Sequence, residues 1–130
     1  MVPILDSQDL LLAGERGIMK TTMKGQSIKN YFQNQVNTIC HIEESVYLVG
    51  FYSNGLKVWN EKTDQELFQI CKETVFSIKR ILTTNNFIIK TYKNGIKLLT
   101  IKNLKTSEFS LQDLLDAKDT DWNTTDSLQV

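Results

Sequence analysis

Lys57-Val58-Trp59-Asn60, led in by Ser53-Asn54-Gly55-Leu56, has a close counterpart forty residues on, Lys93-Asn94-Gly95-Ile96-Lys97-Leu98-Leu99-Thr100. A fainter one precedes it, Gly17-Ile18-Met19-Lys20. The three glycines stand 38 and 40 residues apart, and each opens an apolar stretch. A second pattern keeps the same period: Val36, Ile39 and Ile42 recur as Val75, Ile78 and Ile81, each displaced by 39. Two independent patterns with one period of about 40 residues are the mark of a repeat architecture.

The content of each unit points to strands. The middle unit divides into Val36–Ile42, Val46–Tyr52, Gly55–Asn60 and Glu66–Cys71, and the next into Val75–Leu82, Phe87–Tyr92, Gly95–Ile101 and Glu108–Leu111. These segments are rich in Val, Ile, Phe, Tyr and Thr, which suit a pleated surface. Asn54-Gly55 and Asn94-Gly95 separate second from third strands, and Asn-Gly accepts positive φ at both centres of a type I′ hairpin turn. Four antiparallel strands per unit of about 40 residues describe a propeller blade.

The middle unit also carries a family likeness. Val36-x-x-Ile39-x-x-Ile42, Gly50, Asn54-Gly55 and Leu56-Lys57-Val58-Trp59-Asn60 together resemble a WD-repeat blade. Trp59-Asn60 stands where that family has its Trp-Asp dipeptide, and Glu61-Lys62-Thr63-Asp64 is similar to the turn that follows it. Leu99-Thr100 and Thr21-Thr22 occupy the dipeptide in the other units, and the family's Gly-His dipeptide is absent. The resemblance spans residues 4–111. It implies an all-β fold of three four-stranded blades, about 1–34, 35–73 and 74–111, held by apolar packing rather than by a buried Ser/His/Asp/Trp network.

The first unit is short, with only Val2–Leu5 left for its first strand; Asp9–Glu15, Gly17–Met23 and Ser27–Phe32 supply the rest. Propellers close with four to eight blades, so three leave an apolar face open at each end. At ~25 cal/mol per Å², exposing ~400 Å² per end forgoes about 10 kcal/mol, comparable to the stability of a whole domain. The expectation is therefore a segment of a larger propeller, a homodimer that makes a six-bladed ring, or a ring completed by another protein's missing blades.

Beyond Leu111 the pattern changes. Ser110 with Asp113 resembles a capping box, and Leu111, Leu114 and Leu115 share a helical face, which predicts a short C-terminal helix over 110–118. Residues 112–130 carry five Asp against Lys118 and form an acidic helix and tail, expected to be a flexible linker.

Composition excludes several classes. No apolar run approaches the ~20 residues that span a bilayer, and the N-terminus lacks the basic flank and apolar stretch of a signal peptide. Cys40 and Cys71 form no Cys-x-x-Cys pair, so a cytoplasmic protein with reduced thiols is expected. His41 adjoins Cys40 on a predicted strand, where neighbours face opposite ways, so the two make no nucleophile pair. One histidine and two separated cysteines do not build a zinc site. Gly14-Glu15-Arg16-Gly17 and Gly50-x-x-x-x-Gly55 lack the helix and Lys-Ser/Thr of a phosphate loop. No enzyme activity, cofactor or metal is expected.

Binding remains. On the family pattern the turns between second and third strands share one face with the linkers between blades, and on that face stand Glu15, Arg16, Asn34, Gln35, Ser53, Asn54, Glu73, Lys93 and Asn94. Mixed charges and amides suit a protein or peptide partner, and nucleic acid is the less favoured one. The expected function is a non-catalytic interaction scaffold. The alternative is a nucleic-acid or anionic-membrane module that uses the basic third unit, with Lys79, Arg80 and the lysines at 90, 93, 97, 102 and 105.

Overall fold

The computed structural model describes residues 2–3 and 9–115, and the regular structure there is entirely β. The strands are β1 (Val2–Pro3), β2 (Leu10–Gly14), β3 (Gly17–Thr21) and β4 (Ser27–Tyr31), then β5 (Val36–Glu43), β6 (Val46–Phe51), β7 (Leu56–Asn60) and β8 (Gln65–Cys71), then β9 (Val75–Arg80), β10 (Asn86–Thr91), β11 (Ile96–Asn103) and β12 (Glu108–Leu115). Each group of four forms its own antiparallel sheet with the strands in chain order. The fold is three successive β-meanders.

The middle sheet is buried on both sides, and the alternation along its strands decides which side chain faces where. Tyr47, Val49, Phe51 and Trp59 form one core with Leu11, Ile18 and Tyr31 of the first sheet. Leu48, Leu56, Val58 and Ile70 form a second core with Val75, Phe87, Ile89 and Leu99 of the third. The run Val46-Tyr47-Leu48-Val49-Gly50-Phe51 is apolar without interruption because both faces of β6 are covered. Gly50 permits the approach of the third sheet: a Cβ there would lie 2.6 Å from Cγ2 of Thr38 and 3.0 Å from Cγ1 of Val75.

The C-terminal helix expected over 110–118 does not form in the residues described. Residues 108–115 are strand β12, paired with β11 from Asn103↔Glu108 to Ile96↔Leu115. A helix of two turns is marginal alone, whereas the same segment as a strand satisfies the open backbone edge of β11. Phe109 and Leu111 thereby reach the core, and Phe109 stacks on Phe68 with ring centroids 5.9 Å apart. Residues 116–118 of that expected helix, and the acidic tail to Val130, lie outside the described residues, as do residues 4–5 of the first expected strand.

The Asn-Gly turns also differ from expectation. Positive φ falls on Gly55 (78°) and Gly95 (82°) but on neither Asn54 nor Asn94, so neither turn is type I′. In the middle sheet Gly50 pairs with Leu56, and the amide of Phe51 donates to the carbonyl of Gly55 (2.8 Å). The loop is thus longer than the two residues a type I′ hairpin requires.

Candidate functional site

The turns between second and third strands and the linkers between sheets meet along one end of the stacked sheets, held by backbone hydrogen bonds. The Tyr52 amide donates to the carbonyl of Gln35 (3.1 Å), which ties the β6–β7 turn to the first linker. The Tyr92 amide donates to the carbonyl of Thr74 (2.9 Å), which ties the β10–β11 turn to the second linker. The Thr74 hydroxyl donates in turn to the carbonyl of Tyr52 and joins the two halves. The result is a continuous strip from Gln35 to Lys93.

The expected binding residues divide along this strip. Glu15 and Arg16 are exposed on the β2–β3 turn and, with Phe32 and Gln33, border an open depression of ≈ 970 Å³. Asn34, Gln35, Ser53, Lys93 and Asn94 are exposed. Asn54 is half-buried, and its carbonyl accepts from the side-chain amide of Gln69 (3.0 Å). Glu73 is engaged internally, its carboxylate 3.4 Å from the Lys97 ammonium, which also meets Asp113 at 3.1 Å.

Sequence reasoning missed the aromatic content of the strip. Tyr52, Phe76 and Tyr92 remain 53%, 39% and 51% exposed. Phe76 meets Tyr92 edge to face at 5.6 Å, and the Lys93 ammonium lies 5.1 Å from the Tyr92 ring centroid. The signal was present in Tyr52-Ser53-Asn54-Gly55 and Tyr92-Lys93-Asn94-Gly95, where a tyrosine follows each second strand and leads into the Asn-Gly turn.

No protein-family model matches the chain, and no curated protein matches it. Among the described residues no group of three or more His, Cys, Asp or Glu could hold a metal ion, and no helix is long and apolar enough to cross a membrane.

Cys40 and His41 do not form a reactive pair. The Cys40 thiol points at the carbonyl of His41 (3.8 Å), and the His41 ring meets the carbonyl of Glu44 (2.7 Å). Burial pushes the Cys40 thiol up to about 11, against the opposing charge of Arg80, and burial raises Cys71 too. Thiolate is the reactive form, so both thiols are expected to react slowly with Ellman's reagent at neutral pH in the folded chain and promptly in denaturant. Fast reaction of either thiol in the folded chain would contradict these environments.

A second polar cluster lies inside the first core rather than on the strip. Glu61, 3% exposed, accepts from the Lys20 ammonium (2.9 Å) and the Tyr31 hydroxyl (3.2 Å). Burial, then the charge of Glu61 and the hydrogen bond to it, hold the Tyr31 phenol well above its ordinary range. Burial and the charge of Glu61 raise Tyr47. Burial pulls Lys97 down, but its hydrogen bond to Asp113 and the charges of Glu73 and Asp113 outweigh that and raise it. All three groups hold their protons more tightly in the folded chain, so their contribution is complete below about pH 10 and declines as pH rises through the shifted values. Thermal melts should hold level from neutrality to about pH 8, decline gently as the two raised thiols begin to titrate, and fall steeply above pH 10, with a shallower steep limb in Tyr31→Phe. An identical alkaline slope in that variant would remove Tyr31 from the account.

Proposed function

We propose that the chain is a segment of a WD-repeat-type β-propeller and serves as a non-catalytic cytoplasmic scaffold for protein or peptide partners. The observation that carries the proposal is the strip through Gln35, Tyr52, Thr74 and Tyr92: turns and linkers from successive four-stranded meanders are hydrogen-bonded into one surface on a rigid β support. Variable loops on a fixed framework are where binding residues concentrate. Each meander is one blade in this proposal. Further blades, from a longer chain, a second copy or another protein, cover the outer faces, where Leu12, Met19, Ile88 and Leu98 are half-buried.

The basic third sheet offers less to a polyanion. The Arg80 guanidinium donates to the carbonyls of Ile42 (2.7 Å) and Thr84 (2.6 Å), and Lys97 is held by two carboxylates. These two charges are therefore committed to the fold.

Affinity capture tests the scaffold. Three baits are compared: the wild-type chain, a strip variant (Gln35→Arg, Asn54→Arg, Lys93→Glu) and a control at the far end of the third sheet (Lys102→Glu, Glu108→Lys). Proteins retained by wild type and control but lost from the strip variant are the expected result. Equal capture by all three, or retention on heparin at physiological salt that Lys93→Glu abolishes, would overturn it.

A further inference from the structure

We infer that the strip between Tyr52 and Lys93 takes an extended peptide of a partner protein in which an aromatic residue stands beside an acidic one; this rests on the scaffold proposal above. Three large rings, Tyr52, Phe76 and Tyr92, are left about two-fifths to half exposed; Phe76 and Tyr92 are in ring contact, and the backbone and hydroxyl of Thr74 hold together the segments that carry the two tyrosines. Scattered exposed aromatics need no explanation, but a cluster joined by hydrogen bonds and ring contact marks a surface that a partner covers. The Phe76–Tyr92 pair already adopts the edge-to-face geometry, and an incoming ring adds a third member at the centroid distances such pairs prefer, roughly 4.5–7 Å.

Charge selects the neighbour of that ring. Lysines flank the aromatic patch on both sides. Lys93 lies over Tyr92, and Lys72 borders a depression of ≈ 250 Å³ together with Ser53, Asn54 and Gln69. Lys72 is exposed and makes no ion pair among the described residues. The one acid of the adjoining linker, Glu73, is turned onto Lys97 and so does not neutralise them. The Gln69 amide already donates to the carbonyls of Asn54 and Cys71, and Lys57, which also lines the depression, is held by Glu66 (3.0 Å); the Lys72 ammonium, the Ser53 hydroxyl and the Asn54 amide are left as a donor set that fits a carboxylate.

Panning a phage-displayed library of random dodecapeptides against the intact wild-type chain tests this. Two surface variants, Tyr52→Ser/Tyr92→Ser and Lys72→Glu/Lys93→Glu, serve as counter-targets once their melting curves match wild type. Enrichment of sequences with Trp, Tyr or Phe next to Asp or Glu is expected. Synthetic copies of these should bind at least about tenfold more weakly to each variant, and the lysine dependence should fade with salt. Enrichment of basic or aromatic-free sequences, or binding that survives in both variants, overturns the proposal. A winning sequence that reproduces the longer run Asp119-Thr120-Asp121-Trp122-Asn123-Thr124 of this chain, beyond the acid-aromatic pair itself, overturns it, because the occupant is then the chain's own segment. If proteins are still lost from the strip variant while no acid-aromatic peptide is enriched, the peptide chemistry falls and the scaffold stands. If peptides bind but protein capture ignores the strip, the scaffold falls.

Discussion

Replacing Trp59 with alanine should cost about 3–5 kcal/mol, a large share of the 5–15 kcal/mol that holds an ordinary domain folded. Trp59 is fully buried between the first and middle sheets. Its ring lies 4.8 Å from Tyr31, 5.3 Å from Phe32 and 6.1 Å from Tyr47, centroid to centroid, and its indole N–H donates to Asp64 (3.0 Å). Removing it opens a cavity against three other rings at once, and a β-sheet core cannot collapse into such a gap without moving a strand. Trp59→Phe keeps most of the packing and loses the hydrogen bond to Asp64, which is exposed and can turn to water; about 1–2 kcal/mol is expected. Urea unfolding followed by far-ultraviolet circular dichroism measures both. The damage should also be local, because Trp59 belongs to the first core only. Hydrogen exchange in Trp59→Ala should quicken over Leu11–Tyr31 while Phe87, Ile89 and Leu99, in the second core, keep their protection. Uniform loss across all three sheets would show that the two cores unfold as one unit and would remove the local account.

Trp59 was also the residue that made the sheet legible. The β-favouring residues around it, and the matching runs around Gly17 and Gly95, place strands where β3, β7 and β11 lie, because two patterns sharing a period of about forty leave few alternatives. What the sequence did not reveal was set by contacts between units. Buried Glu61 and Tyr31 with half-buried Lys20 join residues up to 41 apart, and no local pattern marks Glu61 as interior. A lone glutamate in a turn reads as solvated; here the first sheet closes over it. The exposure of Tyr52, Phe76 and Tyr92 was missed for the opposite reason, since aromatic residues at strand ends read as core.

The forty-residue period also concealed one repeat. Asn60-Glu61-Lys62-Thr63-Asp64 and Asn103-Leu104-Lys105-Thr106-Ser107 make the same turn. In each, the asparagine side-chain oxygen accepts from the backbone amides of the lysine and the threonine, and the last residue takes positive φ, 53° at Asp64 and 59° at Ser107. The two are 43 residues apart because β11 is eight residues long where β7 is five. Asn103 therefore falls out of register with Asn60 in any fixed-period comparison, and Thr100 was matched to Asn60 instead. The same three extra residues lengthen the edge that β12 covers, which is one reason residues 108–115 run as a strand where helical spacing predicted otherwise.

Gly55→Ala is the second substitution expected to do severe harm, about 2–5 kcal/mol, from two separable causes. The first is conformational. Gly55 holds φ at 78°, and a residue with a Cβ pays roughly 1–2 kcal/mol there. The second is steric: the new Cβ would collide with the carbonyl oxygen of Cys71 and lie 2.8 Å from Cα of Lys72, both backbone, so relief requires the end of β8 to move. That movement would shift the linker that carries Thr74 into the strip of turns. Two controls isolate these causes. Gly14→Ala places its Cβ in open space without positive φ and should stay within about 0.5 kcal/mol of wild type. Asn54→Ala should be similarly mild, because Asn54 does not hold positive φ and it is its backbone carbonyl, not its side chain, that Gln69 meets. In a type I′ turn, by contrast, Asn54→Ala would force alanine into the left-handed region and cost roughly as much as the conformational part of Gly55→Ala. Melting temperatures of the three variants therefore decide the turn as well as the glycine. A large loss in Asn54→Ala would restore the type I′ geometry, and a small loss in Gly55→Ala would mean that β8 yields where its backbone contact says it cannot.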